Sequence, residues 1–189
     1  MITALGRFSV LLLVVAAAPT ALAVEPLGTD ILTSVSENKR AQIFAGLVRV
    51  SELGRGDLGS AYTSFLVPRD SDCTAIEISR LEGLKTKNDA RTYVLDHAFK
   101  GQLNVMAKSG DVPGLTAYYF PGAGTMDVLG GRVTIDEAHP FSLPLLSGRS
   151  VLISISKNVV RLGARSNVLD KNDGAKNGDE FELDECAVF

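Results

Sequence analysis

Two histidines, His97 and His139, and two cysteines, Cys73 and Cys186, are the side chains best suited to acid–base, nucleophilic or metal chemistry. His97 follows Asp96, and a carboxylate can orient an imidazole for proton transfer. Adjacent helical residues point about 100° apart, however, so Asp96 is badly placed to align its own neighbour. His97 also completes an i, i+3, i+4, i+7 stripe with Ala90, Tyr93 and Val94. That stripe predicts a buried histidine with one ring nitrogen bonded to backbone. His139 lies in the tract Asp136-Glu-Ala-His-Pro-Phe141. One imidazole beside two acids can hold a metal weakly, but a surface loop is the expected reading. No Gly-x-Ser-x-Gly elbow occurs. Neither catalytic residues, nor metal ligands, nor a cofactor are expected.

Three further motifs are weighed in the same way. Arg55-Gly56-Asp57 is an integrin-type tripeptide, but a charged, glycine-containing stretch is also what a helix–strand connection needs. The acidic tract 170–180 invites a calcium-loop reading. Aligning Gly178 with the turn glycine of such a loop puts Ala175 where an oxygen ligand is required and Asp184 where a bidentate Glu is required. A polar turn before the last strand is expected instead. Cys73 and Cys186 allow one intramolecular bridge, which an oxidising compartment favours; two separately buried thiols are the alternative. Alternation places Phe181 and Leu183 on one face of that last strand, and Glu182, Asp184 and Cys186 on the other unless a bulge intervenes.

The chain has 189 residues, a formal charge of −3 and 46% apolar residues. Such a composition suits one soluble domain and is too apolar for a disordered chain. A weakly acidic chain with scattered Lys and Arg is a poor nucleic-acid partner, so none is expected. Residues 1–23 combine Arg7, an apolar run over 8–18 and the end Ala21-Leu-Ala23, the pattern of a signal peptide cut after Ala23. The run is too short to cross a bilayer unaided, and no stable membrane insertion is expected after cleavage. A secreted, periplasmic or cell-surface location follows.

Residues 24–29 read as a short lead-in and 30–189 as one domain. Asp30 to Leu53 is helical in pattern, with a second helix capped from Ser36-Glu-Asn38. Arg55–Ser60 reads as a loop and Ala61–Val67 as a strand ending at Pro68. Asp70 or Ser71 can cap a helix running past Cys73 and Ile76 towards Leu81. Asn88–Phe99 is the cleanest helix, closed by Lys100-Gly101. Beyond Gly101 the chain turns to short β-prone runs, including the alternating Val151–Lys157. Helices first and strands after predict an α+β domain around one core.

Four stretches in order resemble the fasciclin-like domain family. Residues 31–53 are similar to its opening helices, and 63–76, TSFLVPRDSDCTAI, to its first box. Residues 93–103, YVLDHAFKGQL, are similar to its Tyr-His segment, and 177–189, NGDEFELDECAVF, to its closing box. Asp96 stands where the family has Tyr, Lys100 where it has Pro, Cys73 where an aromatic is common, and Glu182 where it often has His. The resemblance implies a wedge-shaped β-sandwich flanked by helices from the N-terminal half. It brings the first box close to the last strand, which favours a Cys73–Cys186 disulfide. It also implies a binding role for Asp96 and His97 and an extracellular adhesion protein without catalysis. Its partners would be a surface polysaccharide, a matrix polymer or a protein. The alternatives are a small secreted hydrolase using His97 or His139, and a carrier of small ligands.

Overall fold

In a computed structural model, the structure describes residues 29–104, 107–112, 115–119, 123–128, 131–136, 138–156, 159–172 and 175–186. The expected signal peptide, 1–23, and most of the lead-in lie outside them. The domain is mixed α+β: the helices, with one strand among them, come first, and the strands that follow complete a large, nearly closed sheet.

The helices are α1 (Ile31–Ser36), α2 (Gln42–Ser51), α3 (Arg55–Leu58), α4 (Ala75–Glu82) and α5 (Lys87–Leu95). Their ends show how the chain breaks the expected continuous pattern. Asp30 caps α1 by accepting from the Leu32 amide at 3.0 Å. The start of α2 is not capped from Ser36 or Asn38. Asp70, far along the chain, reaches back to the Gln42 amide at 2.7 Å and the Ile43 amide at 3.2 Å. Asp70 itself lies in a single 3₁₀ turn, Asp70–Asp72, so the helix expected to start there begins later. Thr74 and Glu77 form a reciprocal capping box that starts α4. The stretch expected to be a loop after Gly54 winds into α3.

The strands of the main sheet are β1 (Thr63–Pro68), β2 (Ala98–Lys100), β8 (Phe141–Pro144), β9 (Ser150–Ser156), β10 (Val159–Leu162), β11 (Ser166–Asn172) and β12 (Glu180–Leu183). Their order is β2-β1-β12-β11-β10-β9-β8. The two ends then meet: Phe99 bridges to Leu145, and the Leu146 amide donates to the Ala98 carbonyl at 2.7 Å. Between β2 and β8 come β3 (Gln102–Asn104), β4 (Ala107–Val112), β5 (Leu115–Tyr119), β6 (Ala123–Val128) and β7 (Gly131–Asp136). Strands β3, β6 and β7 form a small sheet, and β4 pairs with β5.

The long helix expected over Asn88–Phe99 stops at Leu95. Residues 98–100 pair instead with β1, Phe65 opposite Ala98 and Thr63 opposite Lys100. Sheet pairing wins over helical pattern there because it buries Phe99 completely. Lys100-Gly101 is therefore a strand end, with Gly101 at φ 114°.

Two cores lie on opposite sides of the sheet. Leu66, Phe99, Ile153, Val160, Phe181 and Leu183 fill its inside. Phe44, Phe65, Val67, Tyr93 and Val94 pack between its outside and the helices. Each fully buried Phe or Leu contributes about 1.5–3 kcal/mol relative to an exposed one. The parallel pairing of β1 with β12 sets Phe65 opposite Glu180, Leu66 opposite Phe181 and Val67 opposite Glu182. Both faces of β12 are consequently buried, the glutamates on the helix side. Gly178 is required by close approach: a Cβ there would collide with the Thr63 carbonyl and the Ile31 side chain.

Candidate functional site

His97 sits in the turn between α5 and β2 and is fully buried. Its Nδ1 lies 2.9 Å from the Tyr93 carbonyl oxygen, so that nitrogen carries the proton and donates. The ring packs 4.3 Å from the Tyr93 ring and 5.5 Å from Phe44, centre to centre. Burial pushes the Tyr93 phenol well above its ordinary value. Asp96 turns the other way. Its Oδ2 accepts from Arg149 Nη1 at 3.0 Å, while the buried Oδ1 makes no hydrogen bond among the described residues. His139 is exposed on the loop before β8. The two histidines therefore occupy different environments, one in the core and one on the surface.

The Arg55-Gly56-Asp57 tripeptide forms the first turn of α3, and both its charges are engaged within the domain. Arg55 pairs with Asp30. Asp57 accepts from Arg91 at 2.6 Å and from the Gly54 amide at 2.8 Å. Those two bonds hold its carboxyl below the usual range, the Arg91 bond contributing most.

The acids of the closing tract are also committed. Asp179 is fully buried, accepts from the Tyr62 hydroxyl at 2.8 Å, and lies 3.1 Å from Lys171 Nζ. That last contact is an ion pair by distance but is poorly aligned as a hydrogen bond. Asp184 accepts from the Asn167 amide at 2.6 Å. Glu180 accepts from Ser34 and, at 2.9 Å, from Asn38. Glu182 takes Arg40 at 3.1 Å. Burial pushes the Glu180 carboxyl up, and the bonds from Ser34 and Asn38 pull it partway back. These two glutamates were legible only as members of an alternating Glu-Phe-Glu-Leu strand. Their burial comes from α1 and the following loop lying across the sheet's second face.

Cys73 and Cys186 form a disulfide with Cα atoms 5.0 Å apart. Strand parity is no obstacle because Cys186 follows a turn at Asp184–Glu185, beyond the end of β12.

Beside this bridge runs a groove of about 530 Å³, the size of an ordinary ligand site. Helix α4 forms one wall. The start of β9 and the β10–β11 turn form the other, and Glu185–Cys186 closes the end. The turn is tight: Gly163 has φ 64°, and its amide donates to the Leu152 carbonyl at 2.7 Å. Buried Leu81, Val151, Leu162 and Cys186 make an apolar floor. Arg80 and Arg165 stand on opposite walls, and neither makes an ion pair among the described residues. Glu77 is bound into the α4 cap, which with the charge of Arg165 holds its carboxyl low. Leu152 on the rim is 51% exposed, and Ile76, beside Glu77 on α4, is 83% exposed. Of these groove residues the sequence singled out only Cys186, as a disulfide candidate; Ile76 and Leu81 figured only as helix positions and Val151 as a strand position. An exposed Ile at a helix start was the one signal that could have pointed here.

No protein-family model matches this chain, and comparison with curated proteins finds no match.

Proposed function

We propose that this chain is a secreted, non-catalytic binding module of the fasciclin-like kind, its strands and flanking helices forming that family's wedge-shaped sandwich. It attaches to a cell-surface or matrix polymer: a polysaccharide, a matrix chain or a protein partner. The mixed α+β architecture and the four stretches that resemble the family's boxes support the family reading. The Cys73–Cys186 bridge supports an oxidising location. The observation that carries the binding reading is the groove beside α4, with its apolar floor and charged rim. A binding surface of this size is weak alone and gains from multivalency.

His97, by contrast, is sealed in the core with its Nδ1 proton committed to backbone. That supports a positioning role in the core rather than proton transfer to a substrate.

The test is retention of the protein on cells or matrix preparations, alone and in tandem copies. Retention should rise with copy number and fall several-fold in Leu152→Glu, which puts a charge on the groove rim without touching the core. Turnover of a defined substrate that disappears on replacing His97 or His139, with the fold intact, would overturn the reading.

A further inference from the structure

Away from the groove, Lys171 near the end of β11 meets Asp179 just before β12, with both side chains inside the fold. We propose that the two join in an intramolecular isopeptide bond, an amide between Lys171 Nζ and Asp179 Cγ that ties β11 covalently to the start of β12. Three features select this pair. First, Nζ lies 3.1 Å from Asp179 Oδ2, yet the contact is misaligned as a hydrogen bond. The nitrogen is held within reach of the carboxyl carbon, and no hydrogen bond between the two has to break before it turns onto that carbon. Second, water is kept out. The Lys171 side chain is 9% exposed and that of Asp179 is 0% exposed. Phe181 stands opposite Lys171 across the β11–β12 pair, its ring centre 5.8 Å from Nζ, and the Phe99 ring stacks on it at 6.2 Å. In dry surroundings, exchanging two charges for a neutral amine and a neutral acid costs far less than in water, and those are the reactive forms. Third, the Tyr62 hydroxyl donates to Asp179 Oδ1 at 2.8 Å, where negative charge develops when the carboxyl carbon is attacked. The neighbouring buried acids lack this set: Glu180 faces Ser34 and Asn38, and Glu182 faces arginine.

The reaction needs no co-reactant. The ammonium passes one proton to Oδ2, the freed lone pair attacks Cγ, and Oδ1 takes the charge against the Tyr62 hydroxyl. The nitrogen then passes a second proton to Oδ2, the Cγ–Oδ2 bond breaks, and water leaves. The third ammonium hydrogen stays on the amide nitrogen, and the carbonyl re-forms at Oδ1.

The test is mass spectrometry of the purified protein after its disulfide has been reduced. The intact mass should fall short of the sequence mass by about 18 Da, one water. Trypsin otherwise separates the two residues at Lys176. It should instead leave one branched peptide carrying both Lys171 and Asp179, uncut after Lys171. Lys171→Arg keeps the charge pair but has no amine to acylate, so it should show the full mass and no branched peptide. Tyr62→Phe, sampled soon after synthesis, should show a several-fold smaller linked fraction than the parent. Full mass in the parent, or separate peptides for Lys171 and Asp179, would overturn the proposal and leave an ordinary buried ion pair. A mass loss that persists in Lys171→Arg would come from cyclisation elsewhere in the chain and would overturn it too. Neither residue lines the groove beside α4, so the result leaves the binding-module reading untouched.

Discussion

Cys73 and Cys186, 113 residues apart in sequence, staple the start of one wall of the groove to its floor. Cys73 immediately precedes Thr74, the cap of the helix that forms one wall, and Cys186 lies in the floor. By constraining the unfolded chain, a loop of that length contributes about 4–5 kcal/mol in the chain-entropy account. The Cys73→Ser/Cys186→Ser variant should therefore lose several kcal/mol in urea unfolding. Its α4 amides should exchange faster with solvent than those of α5. Equal exchange in both helices would mean that the bridge stabilises the fold without shaping the groove.

Glu180 gives the stability an unusual pH dependence. Burial holds its folded value above the ordinary 4.5, so between those two values the folded chain carries the extra proton. Stability from this group then falls as pH rises through that window. Glu52, Asp57 and Glu77 are held low and act in the opposite sense, losing their contribution as the pH falls through their folded values. The clean measurement is the difference between Glu180→Gln and the parent. The amide can still accept from Asn38 and bond Ser34, without the cost of a buried charge. The variant should be more stable at neutral pH by about 1 kcal/mol, with the advantage shrinking towards pH 4. A constant difference across pH would show that Glu180 titrates alike in both states.

His97 should behave as a core residue. His97→Ala removes the bond to the Tyr93 carbonyl and the ring contacts with Tyr93 and Phe44. The expected loss is about 2–4 kcal/mol in denaturant unfolding, with a lower melting temperature. Unchanged stability would contradict the burial argument.

The parts of this fold legible in the sequence were those written locally. The burial of Ala90, Tyr93, Val94 and His97, the alternation of Val151, Ile153 and Ile155, and the strand before Pro68 match the structure, although the helix carrying the first three ends before His97. What was not legible depends on residues distant in sequence. Ala98–Lys100 reads as a helix end until β1 is beside it. Glu182 reads only as lying on the face opposite Phe181 and Leu183 until α1 and the following loop cover that face of β12. Arg55-Gly56-Asp57 reads as an open loop until Asp30 and Arg91 take its charges. The groove is assembled from α4, β9, the β10–β11 turn and the C-terminal segment, so no single stretch announces it.

Asp70 illustrates the same point and permits a sharp test. Helix α2 begins at Gln42 with Ala41 before it, a residue that cannot cap. Its first amides are met by both oxygens of Asp70, while the Asp70 amide donates to the Arg40 carbonyl at 2.9 Å. The helix start and the end of β1 are therefore locked together in both directions. Asp70→Ala should cost about 1–2 kcal/mol, at the upper end of ordinary cap losses, because two amides lose their acceptor at once. It should also speed amide exchange at Gln42 and Ile43 ahead of the rest of α2. Asp70→Asn keeps one acceptor oxygen and gives up the negative charge at the helix N-terminus, so it should fall between the parent and Asp70→Ala. If Asp70→Asn is as damaging as Asp70→Ala, the charge rather than the pair of hydrogen bonds holds the helix start.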